Sequence, residues 1–494
     1  MDSLDLRTAL REMKGRWSGA EARARGTFTG VSTDTRSLRP GQLFFALKGE
    51  HFDGHDFVEL ASRAGAAACV VRGSRGNADL SAAPGPLITV DDPLAALERV
   101  AVWHRRSLSA HVTAITGSVG KTTTKEFLST LLSRRARVAA APKSFNNRLG
   151  VALTVLSADQ HTEQLIVEIG TSGPGEIGHL SRLVRPHRTL VTKIAPAHLR
   201  DLKDLDGVIE AKAEILEGQS ADGVTYLNCD LPGFERFARR APGEIRTFGW
   251  NRGDFAVTGC IWQGRLGADR VRRERNGSGT HRAGYHFLIA GEPMFLPVLG
   301  KHNVINAAAS IAVARDLGCP WEDIRRGLAE CRLPPQRLQY ETAGGITFID
   351  DSYNANPASL EAAIEVWEEL PLAEGRKVVV LGDMLELGDE SRRLHEQLGR
   401  RLARVRVDVL VTVGGESRYL ARAFEEEQEQ RTCCGSPEAR HFDEALAACR
   451  HLETTLLPGD QVLFKGSNGV GLNVVASRLR RWARDTNGGA EPST

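Results

Sequence analysis

The stretch HVTAITGSVGKTTTKE, residues 111–126, decides the fold. Its first six residues are mostly β-branched or apolar and read as a strand, a glycine-bounded turn follows, and KTTTKE opens a helix. In such a loop the backbone N–H groups of Gly117, Ser118, Val119, Gly120 and the first helical turn, Thr123 included, face phosphate oxygens. They do so because a helix N-terminus carries free donors and the positive end of the dipole. Lys121 reaches the terminal phosphates and Thr122 presents a hydroxyl to Mg²⁺. The loop is the shorter G-x-x-G-K-T form, since Ile115 stands where the longer motif has its first glycine. The spacing predicts binding of a nucleoside triphosphate and does not separate a ligase from a kinase or a GTPase-type switch.

On both sides of this stretch, β-branched and apolar runs alternate with helical patterns, which predicts α/β architecture with mostly parallel sheets. Upstream, GQLFFALKG and ACVVRG read as strands, and residues 57–66 and 93–106 as helices. Downstream come LIVEIG, TLVTKIAP and GVTYLN, then a helix in HNVINAAASIAVARDLG. Pro334 and Pro335 mark a boundary. Beyond them, ITFIDD, KVVVLGD, VDVLVTVGG and DQVLFKGS repeat the order strand, loop, helix. Three domains are expected, over residues 1–108, 109–335 and 336–494. The Gly- and Arg-rich residues 264–284 read as a solvated hairpin tip and not a nucleic-acid patch, because no aromatic residues interleave the charge. The tail NGGAEPST reads as disordered.

Apolar residues are 41% and charged residues 26% of the 494, with a net charge of +2. That balance excludes a largely disordered chain and gives no reason to expect nucleic acid as a partner. No run approaches about 18 apolar residues, so no integral membrane segment is expected. The opening MDSLDLRTALREM lacks the apolar core of a signal peptide. Eight cysteines form no C-x-x-C pair, and Cys433 and Cys434 are adjacent. A zinc knuckle, a redox centre and a simple bridge between those two are all disfavoured, and a reducing cytoplasm is the expected location. Only 11 of the 64 Lys and Arg residues are lysine, so each lysine merits separate placement.

Glu168 ends LIVEIG and His198 follows TLVTKIAPA, which puts both at or beyond the C-terminal ends of strands, where ligands collect in open α/β sheets. Singly, each is an ordinary structural residue. Beside a phosphate loop they form a candidate shell for Mg²⁺ or Mn²⁺. Lys212, in VIEAKAEILEG, reads on pattern alone as a solvated helix lysine.

Several segments together resemble the Mur ligase family of peptidoglycan synthesis, over nearly the whole chain. They are VSTDTRSLRPGQLFFALKGEHFDGHDF, TGSVGKTTTKE, KSFNNRLGVALTVL, VEIGTSGPGEI, APAHL with EAKAEI, GKHNVINAAA, IDDSYNANPASL and VLGDMLELG. DDSYNANPAS is the most specific. It is similar to the version in the branch that adds D-alanyl-D-alanine to UDP-N-acetylmuramoyl-tripeptide, and it differs from the D-Y-A-H-x-P pattern of the branch acting one step earlier. The resemblance implies a small N-terminal α/β domain for the UDP-sugar, a central P-loop ATPase, and a C-terminal Rossmann-like domain that helps bind ATP and the dipeptide. It implies an ATP-dependent amide ligase that works through an acyl phosphate, as a cytoplasmic monomer, and yields UDP-N-acetylmuramoyl-pentapeptide, ADP and phosphate.

The resemblance also implies roles for individual residues. Lys121 holds the β and γ phosphates, Thr122 and Glu168 bind one metal, and His198 helps bind a second. Lys212 reverses its pattern-based reading: in the family the matching lysine is carbamylated by CO₂ and supports the metal site as an anion. Asn303 and Asn306 match the adenine-contacting segment, and Arg337 and Asp351 the positions that reach phosphate and ribose. Tyr353, Asn354 and Asn356 lie near the second substrate. Thr35, Arg36, Lys48, Asp53 and His55 lie in the segment for uridine and pyrophosphate. Three features depart from the family pattern: Gln336 stands where relatives have glycine, Asn468 where they have arginine, and LRDLKDL after His198 lacks a Gly-Phe-Gly-like turn. The competing readings are a related ligase that adds the third amino acid, a folylpolyglutamate synthase, and a nucleotide-dependent switch. The UDP-type segment and DDSYNANPAS argue against the first two, and a switch has no need of His198, Lys212 or a third domain.

Overall fold

The structure, a computed structural model, describes residues 4–18, 26–49, 52–73, 85–264, 283–371, 375–431 and 437–487. Cys433, Cys434, residues 265–282 and the tail after Asn487 lie outside them. The described cysteines all carry free thiols. No described helix is long and apolar enough to cross a membrane.

The stretch that opened the sequence reading forms the strand His111–Thr116 and the helix Lys121–Leu132. The strand sits inside a nine-stranded sheet, between Gln164–Glu168 and Arg188–Val191, and is parallel to both. Val138–Ala140 closes the sheet beyond Gln164–Glu168. Beyond Arg188–Val191 lie Val224–Asn228, Glu244–Trp250 and Phe255–Gln263, all parallel, and then Gly284–Ile289 and Glu292–Leu296, which pair antiparallel. The chain therefore winds to one side of His111–Thr116 first and to the other side later. This reversal of strand order opens a crevice at the strand's C-terminal end, where the phosphate loop lies.

The helix that leaves this loop is anchored by apolar packing. Phe127, Leu128 and Leu131 are almost fully buried, and they share a core with Ala307, Ala308 and Ile311 of the helix His302–Asp316. Each such large side chain contributes about 1.5–3 kcal/mol by leaving water. The alanine-rich sequence of that second helix keeps it thin, and the Ser310 hydroxyl donates to the Thr124 carbonyl at 3.1 Å.

Two smaller sheets flank this one. The N-terminal sheet runs Arg16–Ser18, Leu87–Val90, Ala68–Arg72, Leu43–Phe45, Val31–Ser32, parallel except for its first pair. Its helix Pro93–Ser107 is capped by Asp92 and packs on the central part. There the Arg105 guanidinium donates to the carbonyls of Val184 and Arg185. The C-terminal sheet runs Gln339–Ala343, Ile346–Asp350, Gln461–Lys465, Lys377–Gly382, Val409–Val413, Glu438–Phe442, again parallel except for its first pair. The helix expected over residues 57–66 is shorter, Val58–Arg63, and is preceded by a 3₁₀ turn, Gly54–Phe57, that Asp53 caps.

Candidate active site

A cavity of about 650 Å³ lies where the phosphate loop, the ends of the central strands and the C-terminal sheet meet. Ser118 to Thr123, Glu168, His198, Asn303, Asn306, Arg337, Asp351, Tyr353, Asn354 and Asn356 all line it. Residues that the sequence spreads over more than 230 positions are thus gathered in one place.

The loop is shaped by two glycines. Gly117 has φ 147°, and a Cβ there would lie 2.1 Å from the Thr192 hydroxyl. Gly120 has φ 91°, and a Cβ there would lie 2.4 Å from the Asn306 side-chain oxygen. Gly120 precedes the helix without any side-chain cap, so the first helical N–H groups stay available to an anion. The Lys121 amine folds back onto the Gly117 carbonyl at 2.7 Å. Burial lowers its pKa, with Glu168 opposing and Arg337 reinforcing the shift. Terminal phosphates would supply the negative charge that this amine lacks.

Thr122 exchanges a hydrogen bond with Ser144 at 2.8 Å and accepts one from Arg337 at 3.3 Å. Glu168 is almost fully buried. Its Oε1 accepts from the Asn146 amide at 2.8 Å, while its Oε2 is buried without a hydrogen-bond partner. A buried, unsatisfied carboxylate oxygen is costly unless a cation meets it. The segment KSFNNRLG explains Asn146: the next residue, Asn147, caps the helix Arg148–Ser157 by accepting from the Gly150 N–H, which leaves Asn146 free to turn toward Glu168.

His198 has φ 55° and shares a hydrogen bond of 2.5 Å between Nδ1 and Glu386 Oε2. Burial and the neighbouring Lys212 lower its pKa, outweighing the pull of Glu386. Lys212 is 1% exposed at the end of the helix Leu205–Ala213, with no ion-pair or hydrogen-bond partner for its amine among the described residues. Burial, then the charge of Lys121, push its pKa well below the ordinary lysine value. The solvated-lysine reading of Lys212 is thereby corrected: the helix turns this position inward. Among the described residues no group of three or more His, Cys, Asp or Glu side chains is spaced to hold a metal. A cation at Glu168 would therefore rely on hydroxyl and substrate oxygens as well, as Mg²⁺ sites in nucleotide enzymes do.

The Asn303 side chain donates to the Leu299 carbonyl at 2.7 Å, and Asn306 donates to Asn303 at 3.0 Å. The Arg337 guanidinium stacks on the Tyr353 ring, 4.4 Å from its centroid. Asp351 accepts from the buried Lys465 amine at 2.6 Å and from the Leu338 N–H at 3.2 Å. Asn356 caps the helix Pro357–Glu369, and the Asn354 carbonyl accepts from Lys465. Gln336 has φ 61°, the left-handed conformation that glycine takes without strain. Asn468 lines the cavity.

The five N-terminal candidates lie elsewhere, in the turns beside the N-terminal sheet. Asp53 and His55 are engaged with each other at 2.6 Å, and His55 Nε2 accepts from the Arg72 N–H. Arg36 pairs with Asp34, and Lys48 bridges to Asp53 along the backbone. Thr35 lies within the turn that Asp34 and Arg36 close. Sequence reasoning passed over Asn146, Ser144, His302 and Glu386, although all four sit inside or beside motifs it quoted.

Comparison with known proteins agrees with this layout. Family models described as "Mur ligase family, catalytic domain", "Mur ligase middle domain" and "Mur ligase, glutamate ligase domain" match residues 27–104, 115–314 and 336–468. The chain is 35% identical, over 91% of its length and 93% of the relative's, to UDP-N-acetylmuramoyl-tripeptide--D-alanyl-D-alanine ligase of Bacillus subtilis. The crystal structure of MurF from Acinetobacter baumannii superposes with a TM-score of 0.80 at 29% identity, covering 97% of this chain and 99% of that one. MurF ligase from Thermotoga maritima, solved in complex with ADP, superposes at 0.74 with 27% identity, covering 92% and 98%.

Proposed function

The chain belongs to the Mur ligase family, and from that premise we propose that it joins D-alanyl-D-alanine to UDP-N-acetylmuramoyl-tripeptide at the expense of ATP. The observation that carries this reading is the convergence, in one cavity, of a phosphate loop, a buried half-satisfied carboxylate and groups from the C-terminal sheet. Amide formation from a carboxylate in water is unfavourable. The tripeptide carboxylate therefore attacks the γ-phosphorus of ATP, ADP leaves, and the acyl phosphate so formed is attacked by the dipeptide amine, which expels phosphate.

Catalysis of the first step is positioning and charge neutralisation. Lys121 and the N–H groups of residues 120–123 hold the β and γ phosphates, whereas the Ser118 and Val119 N–H groups already donate to the Lys193 carbonyl. Arg337, stacked on Tyr353 and touching Thr122, adds a second cation from the C-terminal side. Asn303 and Asn306 meet the adenine, and Asp351 the ribose. Thr122, Glu168 and His198 would hold Mg²⁺ or Mn²⁺, and the buried unpartnered Glu168 oxygen fits such an ion. The bound ion would offset phosphate charge. Burial and the charge of Lys121 push the Lys212 amine well below the ordinary lysine value, which favours its nucleophilic free-base form; it would add to CO₂ and lose a proton, and the resulting carbamate would support the metal site. Tyr353, Asn354 and Asn356 bound the dipeptide. Thr35, Arg36 and Lys48 face the UDP moiety, with Asp53 and His55 setting that turn. The division into residues 1–108, 109–335 and 336–494 follows these roles, and the protein works as a cytoplasmic monomer.

The test is phosphate release. It should require UDP-N-acetylmuramoyl-tripeptide and D-alanyl-D-alanine together. Release with ATP alone, indifferent to both, would refute ligation.

A further inference from the structure

Glu386 lies in VLGDMLELG, a motif to which the ligation chemistry assigns no residue. Its loop follows the strand Lys377–Gly382 of the C-terminal sheet and crosses to the central part. The carboxylate meets His198 Nδ1 at 2.5 Å, and the Glu386 carbonyl accepts from the Arg200 N–H at 3.2 Å. Two residues on, a Cβ at Gly388 would lie 3.3 Å from Arg200 Cα, so the two backbones pack closely. On its own side the loop is fixed. Met384 N–H donates to His395 Nε2 at 3.1 Å, and Leu385 N–H donates to the Ser467 hydroxyl at 3.0 Å. His198 and Glu386 both sit in the left-handed region, φ 55° and 65°, although neither is glycine. Such conformations persist where the surroundings over-determine them, and they cluster at functional sites.

We propose that Glu386 is a positioning residue, delivered by the C-terminal part, which fixes the tautomer and ring orientation of His198 so that the imidazole can hold a divalent cation. With a carboxylate oxygen as its partner, Nδ1 is the donor of this bond, so the His198 proton sits on Nδ1 and the lone pair of Nε2 is left for a metal. A carboxylate behind a ligating histidine is the usual device for this. The carboxylate here belongs to a different sheet from the histidine. Docking of the C-terminal part and cation binding at His198 are therefore linked, each favouring the other by the same factor. The inference rests on the reading of His198 as a cation ligand.

The probe is Mn²⁺, titrated against full-length protein with a non-hydrolysable ATP analogue and followed by the paramagnetic signal of the free ion. Glu386→Ala should weaken Mn²⁺ by about tenfold. His198→Ala should weaken it at least as much, and the double variant no more than His198→Ala alone. Glu386→Gln, whose amide oxygen still accepts from Nδ1–H, should keep most of the affinity, which separates orientation from a general folding defect. Weakening by His198→Ala with none by Glu386→Ala, or effects that multiply in the double variant, would overturn the positioning role. Unchanged Mn²⁺ affinity in His198→Ala would remove the ligand reading itself, and the inference with it.

Discussion

Replacing Gly120 by alanine should damage the phosphate loop by an amount that the structure allows to be worked out. The residue has φ 91° and ψ −9°, a left-handed backbone that costs an L-residue roughly 1–2 kcal/mol. The new methyl would also lie 2.4 Å from the Asn306 side-chain oxygen. Asn306 cannot simply turn aside, because its amide donates to Asn303 at 3.0 Å and the residue is buried. Breaking that bond costs about 1 kcal/mol, and overpacking alone costs about 1–3 kcal/mol. Strain plus overpacking, with the broken bond as the alternative way to relieve the clash, comes to a loss of roughly 2–5 kcal/mol, read by urea unfolding of Gly120→Ala against the parent. Asn306→Ala removes the obstacle and not the backbone strain. Gly120→Ala with Asn306→Ala should therefore lose less than the sum of the single losses, by about 1–2 kcal/mol, a coupling typical of residues in contact. A neutral Gly120→Ala, or strictly additive losses, would refute the reasoning.

Lys212→Met should cost turnover at least about tenfold and yet stabilise the fold at neutral pH in CO₂-free buffer. The folded lysine has a lowered pKa, so the unfolded chain binds the extra proton; stability rises with pH up to the ordinary lysine range, and the variant's advantage in thermal melts should shrink toward pH 10. Lys212→Ala should regain part of its lost activity with a short-chain carboxylic acid. Lys465→Met should leave Asp351 without its buried partner and cost about 3–5 kcal/mol, whereas adding Asp351→Asn should recover part of that in the same melts. His187 is held down to about 4 by burial and by Arg105, and its Nδ1 accepts from the Val112 N–H, which requires the neutral ring. Its contribution is present above about pH 6.5 and is lost as pH falls toward 4, so His187→Gln should flatten the pH dependence of melting across that window.

Much of this architecture is legible in the chain. The phosphate loop carries its own strand and helix signals, and alternation of apolar runs gives the parallel sheets. Periodicity fails at Lys212. Its helix has apolar residues on several sides, and only the packed neighbours decide that position 212 turns inward. Glu386 is hidden for a different reason. It is an unremarkable acidic residue in a loop, and its meaning arises when two segments 188 residues apart meet at 2.5 Å. Asn146 lies between these cases, since reading Asn147 as a helix cap leaves its neighbour free for Glu168. The antiparallel strands Gly284–Ile289 and Glu292–Leu296 extend the central sheet where the sequence reading placed no strand. Their pairing depends on a turn at Ala290 and Gly291, both at positive φ.

The central claim is that ATP activates the tripeptide carboxylate as an acyl phosphate in the cavity shared by Lys121, Glu168 and Arg337. The most direct test labels that carboxylate with ¹⁸O and measures the released phosphate by mass spectrometry after ligation to D-alanyl-D-alanine. One ¹⁸O atom should pass into phosphate for each amide formed. Unlabelled phosphate, with amide still being made, would contradict the account.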